Sequence, residues 1–284
     1  MTDASSTAGD RRSRILGGGG GAGRNVAVAL VSTAIVFTAL GLLVVNSSGW
    51  EEVRQKFLNG EEFRTWFPDV LSAFWLDVKI FLVAEVVILA FALGIAVLRS
   101  LPGPVFFPIR ALAIIYTDVF RGIPTILVVY ILGFGVPGLQ LSGVSTDPVV
   151  WGTVALVLVY SAYVAEVYRA GIESVHPSQE AAARSLGLSR WQALRFVILP
   201  QAVRRVVPPL LNDFIGLQKD TALVALIGPV EAFRQADIGA NADFNYTPYF
   251  CAAVLFVAVT VPLARFTDWL IARDRRRQQG GRAA

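Results

Sequence analysis

His176 is the only histidine and Cys251 the only cysteine in this 284-residue chain, and these two singletons exclude much chemistry at once. A histidine-dependent metal cluster or a Ser-His-Asp triad would have to be built on His176 alone. One cysteine closes no intrachain disulfide and fits no metal-ligand spacing. The sequence holds no H-E-x-x-H, no G-x-S-x-G and no G-x-x-x-x-G-K-[ST], so a zinc protease site, a nucleophile elbow and a phosphate loop are all lacking. Gly18, Gly20 and Gly23 satisfy a dinucleotide spacing, but five consecutive glycines match almost any glycine pattern and no strand precedes them. The residues point to no catalysis and to no cofactor held by this chain. His176, just before Pro177, reads as a residue at the start of a helix.

What remains is a set of polar groups in oily surroundings. Glu85 stands near the middle of "IFLVAEVVILAFALGIAVL", where a charge is costly and normally faces a bundle interior. Such a carboxyl suits contact with a solute's amine or a gate, and equally a protonated or paired structural role. Glu166 and Arg169, three apart, suit an ion pair on one helix surface. Asn212, Asp213, Lys219, Asp220 and Thr221 form the richest polar cluster, and "QKDT" interrupts an apolar pattern where a site between partly unwound helices is expected. Glu85, Glu166 and that cluster are the candidates for a solute path. Asp77 and Lys79 are placed nearer the outer face, reaching water.

The elements that must position these groups are membrane spans. The chain is 55% hydrophobic and 16% charged with a mean hydropathy of +0.58, which points away from a soluble domain. A bilayer core takes about 20 apolar residues per helix, and residues 25–45, 73–98, 124–141, 149–167 and 249–271 supply them. The apolar residues run continuously instead of alternating, so the spans are helices and not barrel strands. Residues 200–227 are apolar but carry the polar cluster, and charge decides whether they cross. Arg11, Arg12, Arg14 and Arg24 precede the first span; Arg99, Arg110 and Arg121 follow the second; Arg169 to Arg205 follow the fourth; Arg273 to Arg277 follow the last. By the positive-inside rule these clusters are cytoplasmic. With both ends inside, the crossings are even in number, so six are expected in an all-α polytopic bundle. The net charge of +4 is then a topology signal, not a nucleic-acid footprint.

Residues 1–24 read as a disordered cytoplasmic tail before a retained first transmembrane helix, 25–45. Residues 46–72 form an extracytoplasmic segment whose Trp50, Phe57, Phe63, Trp66 and Phe67 suit an amphipathic helix at the headgroup level, with a partner surface as the alternative. Residues 73–271 are the core, and 272–284 a basic cytoplasmic tail. Prolines at 102, 104, 108 and 124 leave Ile109–Phe120 as a short helix near the inner face. No internal repeat is visible.

One polar segment, "SQEAAARSLGLSRWQALRFVILPQA" from Ser178, interrupts the spans. Ser178 can cap a helix starting at Gln179, Gly187 supplies a left-handed stop, and Ser189 with Gln192 makes a second capping signal. Pro200 is expected to close the second helix. A helix-turn-helix reading fails on context, because spans flank the segment on both sides. A coupling element fits: Ala181, Ala182 and Ala183 allow close approach, while Trp191, Leu194 and Phe196 are expected to anchor the loop on its own spans.

This segment resembles the EAA loop of ABC importer permeases: E-A-A, three residues, glycine, nine residues, then I-x-L-P. Ala181 to Ala183, Gly187 and Val197 to Pro200 fall on that spacing, with Ala181 in the glutamate's place and Glu180 one position earlier. "YTDVFRGIPTILVVYILGFG", "SAYVAEVYRAGIESVHPSQ" and "LPQAVRRVVPPLLNDFIGLQKDTALVALI" are similar to the polar amino-acid branch, the histidine and glutamate type, with Ala222 where serine is usual. The resemblance spans residues 73–271 and is nearest to glutamate permeases. It implies a multi-pass subunit of a bacterial plasma membrane with both termini cytoplasmic. The partners implied are a second permease chain, a cytoplasmic ATPase dimer carrying ATP and magnesium, and an extracytoplasmic binding protein. It implies no enzymatic activity in this chain. Gln179, Glu180, Ala181, Ala182, Ala183, Ser185, Leu186 and Gly187 would make the ATPase contact. A secondary amino-acid/ion transporter is the alternative; such transporters commonly show an inverted second half, and none is found here.

Overall fold

The computed structural model describes residues 22–101 and 103–280, with side chains to Arg273. The glycines at 18 and 20, Arg11, Arg12, Arg14, Pro102 and residues 281–284 lie outside the described residues, as do the side chains of the basic tail after Arg273. Among the described residues there is no strand. The chain divides into two units, residues 1–56 and 57–284. In the first, α1 (Ala22–Val45) is 24 residues of apolar helix, about 36 Å and enough to cross a bilayer. The short, charged α2 (Trp50–Phe57) follows.

In the second unit, α3 (Gly60–Arg99) runs for 40 residues, about 60 Å, so it extends well beyond one bilayer core. Asn59 starts it by accepting a hydrogen bond from the Glu61 N–H at 2.9 Å. Of the aromatics expected at the lipid surface, Trp50 and Phe57 belong to α2, and Phe63, Trp66 and Phe67 lie on the first part of α3 with their rings turned inward. Phe63 and Phe67 pack on a cluster of Val70, Phe74, Ala236 and Cys251. Gly239 makes room for the Trp66 indole, which a Cβ there would meet at 2.7 Å.

Next come α4 (Phe107–Gly122) and α5 (Thr125–Gly138), bent against each other by 102°. Ile123 is extended, as the residue before a proline prefers, and Pro124 has no N–H to continue a ladder. The 14 residues of α5 span about 21 Å, too short for the full crossing expected of 124–141; only together with the helix before it is the stretch long and apolar enough to cross. Central to the bundle is α6 (Pro148–Glu173), capped by Asp147 through the Val149 N–H at 2.8 Å. Its Leu156 and Val159 are fully buried with Ile88 of α3, Val129 of α5 and Leu217 and Val224 beyond it. Gly152 permits this packing, since a Cβ there would lie 2.7 Å from Val224.

A helical hairpin follows: α7 (Pro177–Ser185) and α8 (Arg190–Ala193). It leads through a π-helical turn, Leu194–Ile198, into α9 (Leu199–Asp220) and a 3₁₀ turn, Thr221–Ile227. The loosening expected at "QKDT" is this change from α to 3₁₀ at Thr221. With 22 residues α9 is long enough to cross, although it is too polar to count among the four helices, or five with the bent pair, that are apolar enough. The chain ends with α10 (Ala232–Asp243) and the long α11 (Thr247–Gly280).

Candidate functional site

The hairpin is built from local signals. Pro177 occupies the first helical position, so the residue before it becomes the cap: His176 Nδ1 accepts from the Ser178 N–H at 3.2 Å. Ser178 therefore sits inside α7 instead of capping it. Gly187 takes φ +86°, and the Leu188 N–H returns to the Ala183 carbonyl at 3.3 Å, closing the helix end. The Ser189 and Gln192 capping box forms with both bonds in place. Pro200 does not close the second helix. The Leu199 N–H reaches five residues back to the Leu194 carbonyl, and Pro200, in the first turn of α9, needs no donor. The hairpin's second helix α8, the π turn and α9 are thus continuous, while α7 is set off from them by the Gly187 turn.

Of the three consecutive alanines only Ala183 faces inward. Ala183 and Ala193 are buried where α7 and α8 meet, while Leu186 is 83% and Trp191 66% exposed. Phe196 and Leu194 also stand out from the surface, so the expected anchoring on the chain's own spans is replaced by an apolar outward face. Glu180 approaches Arg190 at 3.8 Å, an exposed pair worth under about 1 kcal/mol. Gln179 reaches Gln201 at 3.4 Å, and Ser185 donates to its own helix at Ala182. Ala181 and Ala182 are both exposed.

The polar groups of α9 divide by helix geometry. Asp213 and Asp220 are seven apart and so share a face about 10 Å long, directed at α6 and α3. Tyr160 donates to Asp220 Oδ2 at 2.9 Å, and Gly216 between the two acids leaves its ring space, a Cβ there falling 3.0 Å from the hydroxyl. Glu85 lies within electrostatic reach of Asp213 and of Tyr168. Phe81 meets Phe214 edge-on at 4.4 Å beside them, and Asp213 Oδ2 is a buried oxygen without a hydrogen-bond partner among the described residues. Asp213 thus neighbours Glu85 and, through the surroundings of Tyr160, is linked to Asp220. Asn212 and Lys219 turn away and are exposed, and Thr221 is buried, donating to the Gln218 carbonyl at 2.9 Å.

Glu166 belongs elsewhere. Its carboxylate pairs with Arg169 as the spacing predicts, but it also takes Arg99 at 2.9 Å and Arg121 at 3.9 Å. Arg99 further donates to Thr117 at 3.1 Å. This knot ties the end of α3 to α4 and α6.

At the other end of the bundle Asp77 is 2% exposed and Glu231 fully buried, so Asp77 does not reach water. Glu231 caps α10 through the Phe233 and Arg234 N–H groups, and Asp77 Oδ2 accepts from the Ala232 N–H at 3.1 Å. Burial, then the adjoining Asp77, holds the Glu231 carboxyl above the usual carboxylate range. Tyr160, Glu231 and the Thr260–Gln218 bond across α11 and α9 carry no spacing signal in the sequence.

Residues 105–276 match the family described as the inner membrane component of binding-protein-dependent transport systems. The chain belongs to that family. It is an amino-acid ABC transporter permease subunit, embedded in the membrane and without an ATPase site of its own. The permease is 37% identical over 194 residues to the probable glutamine ABC transporter permease GlnM of Bacillus subtilis, covering 66% of this chain and 87% of that one. To the arginine transport system permease ArtQ of the same organism it is 34% identical, covering 72% and 92%. A solved amino acid ABC transporter with histidines is similar at a TM-score of 0.69 and 30% identity, over 76% of the permease and 98% of that chain.

Proposed function

We propose that this permease supplies half of the translocation path of an ATP-driven importer of polar amino acids, with the α7–α8 hairpin as its contact to a cytoplasmic ATPase dimer. A second permease chain, identical or not, completes the path, and an extracytoplasmic binding protein delivers solute. Both termini and the hairpin lie on the cytoplasmic side of a bacterial plasma membrane in this reading, following the arginine distribution. The observation that carries it is the outward apolar face of the hairpin, Leu186 and Trp191, with Trp191 on the helix α8 that runs on into the polar helix α9. Leu186→Asp with Trp191→Asp removes that face without touching the buried Ala183 and Ala193. Uptake should be lost while membrane insertion stays normal; unchanged uptake would overturn the coupling role.

The resemblance named glutamate as the cargo. The charge along the path favours a neutral or cationic side chain over a carboxylate, because three acids, Glu85, Asp213 and Asp220, are half-buried in the bundle while Lys219, in electrostatic reach of Asp220, is exposed. Competition of unlabelled glutamate, glutamine and arginine against labelled solute in a deletion strain decides the cargo. Glutamate as the best competitor would refute the charge argument and leave the hairpin's role intact.

A further inference from the structure

A cavity of about 260 Å³ lies between α9 and α11 at the end of the bundle that carries the hairpin. Its lining is of two kinds. Val207, Pro208, Leu211 and Leu270 give it an apolar floor, and Arg204 and Arg273 stand at its rim. From Arg204 to Leu211 the floor rises about 10 Å along α9, from the end of the span into the hydrocarbon level. Two arginines at such a place could simply extend toward water, but their neighbours distinguish them. Arg205, one residue on, is turned about 100° and donates to the Ser174 carbonyl, tying α9 back to the end of α6. Arg265 is engaged by Asp268 at 3.6 Å. Among the described residues neither Arg204 nor Arg273 has an ion-pair partner, and Arg273 lies over the Trp269 ring at 5.2 Å, which directs its guanidinium.

We infer that this cavity holds an anionic phospholipid, its phosphate between Arg204 and Arg273 and an acyl chain along Val207, Pro208 and Leu211. Two guanidiniums offer forked donors to phosphate oxygens. On the orientation proposed above the pocket faces the cytoplasmic leaflet, where anionic headgroups are concentrated, and its apolar lining suits an acyl chain that a free ion lacks. The site is independent of which solute is carried and uses no residue of the acid stripe or the hairpin.

Trp269 is the reporter. The full-length permease in micelles is doped with brominated phosphatidylglycerol or, at the same mole fraction, brominated phosphatidylcholine, and the Trp269 signal is taken as the difference from Trp269→Phe. Phosphatidylglycerol should quench this signal more strongly. Arg204→Gln and Arg273→Gln should each reduce the preference about fivefold, and Arg204→Lys should largely keep it. Equal quenching by the two lipids, or a preference untouched by both glutamine variants, overturns the inference. So does loss of the preference in millimolar inorganic phosphate, which would show a site for the free ion instead of the lipid.

Discussion

Replacing Glu166 by glutamine removes one carboxylate and strands three arginines, and their geometry sets how unequally they respond. At 2.9 Å and a side chain only 13% exposed, the Arg99 interaction is worth about 6 kcal/mol of Coulomb energy at an effective dielectric near 20. Desolvation of both groups offsets more than half of this, leaving about 2–3 kcal/mol, the range of a charged hydrogen bond. Arg121 sits 3.9 Å away and is 40% exposed, so water screens it and the net value is below about 0.5 kcal/mol. Arg169 retains Glu173 when Glu166 is lost. Glu166→Gln should therefore lower stability by about 3 kcal/mol, or roughly 6 °C in thermal unfolding of the purified chain. Arg99→Gln should cost less, since Glu166 would keep Arg169. Double-mutant cycles separate the terms: coupling of Glu166 with Arg99 should exceed its coupling with Arg121 by about 2 kcal/mol. Equal couplings, or a Glu166→Gln variant as stable as the parent, would refute the picture of α3, α4 and α6 held by one half-buried carboxylate.

The Glu231 carboxyl binds its proton more tightly in the folded chain than at its ordinary value of 4.5, so the native state holds the extra proton. Its contribution to stability is complete below about pH 4.5 and falls as pH rises through the folded value. Unfolding temperature should drop between pH 5 and 8.5, and Glu231→Gln should flatten the profile; a parent profile already flat would contradict the reading. At Gly171 an added Cβ collides with a Val206 methyl, so Gly171→Ala should cost about 1–3 kcal/mol, with partial rescue by Val206→Ala in the same melting assay. Gly187 has φ +86° with open space around it, so Gly187→Ala should weaken the hairpin by about 1 kcal/mol through backbone strain alone, read as faster proteolysis between α7 and α8.

How much was legible in the sequence depended on how near each cause lay in the chain. The Ser189 and Gln192 box and the Gly187 stop involve residues within a turn of one another, and both formed as read. Long apolar runs announced the helical class, because in lipid a backbone must satisfy itself within its own segment. The misreadings have distant partners. Phe63, Trp66 and Phe67 looked like interfacial aromatics because the glycine that receives Trp66 lies far away on α10. Asp77 looked wet because nothing near it announces Glu231. The acid stripe was half visible: spacing puts Asp213 and Asp220 on one face, but only packing shows that Glu85 joins them and Glu166 does not.

Pro200 is the most consequential of these misreadings. A proline in a helical pattern is ordinarily read as a stop, because it removes a donor and clashes with the preceding turn. Here one π turn widens the helix just before it, so the missing donor falls where none is required. A stopped helix would have left the hairpin on a flexible joint, able to move without disturbing the bundle. An unbroken rod cannot do that, since tilting α8 must displace the start of α9. The far end of the same rod carries Asp213 and Asp220 before loosening into 3₁₀ at Thr221. In the coupling proposed above, displacement at the hairpin passes along α9, past Pro208 and Pro209, toward the polar face, with the loosened turn beyond it. Inserting a glycine pair in place of Val197 and Ile198 tests this: hairpin binding to the ATPase should persist while nucleotide hydrolysis and uptake become uncoupled, and normal coupling would show that the rod's continuity is not used.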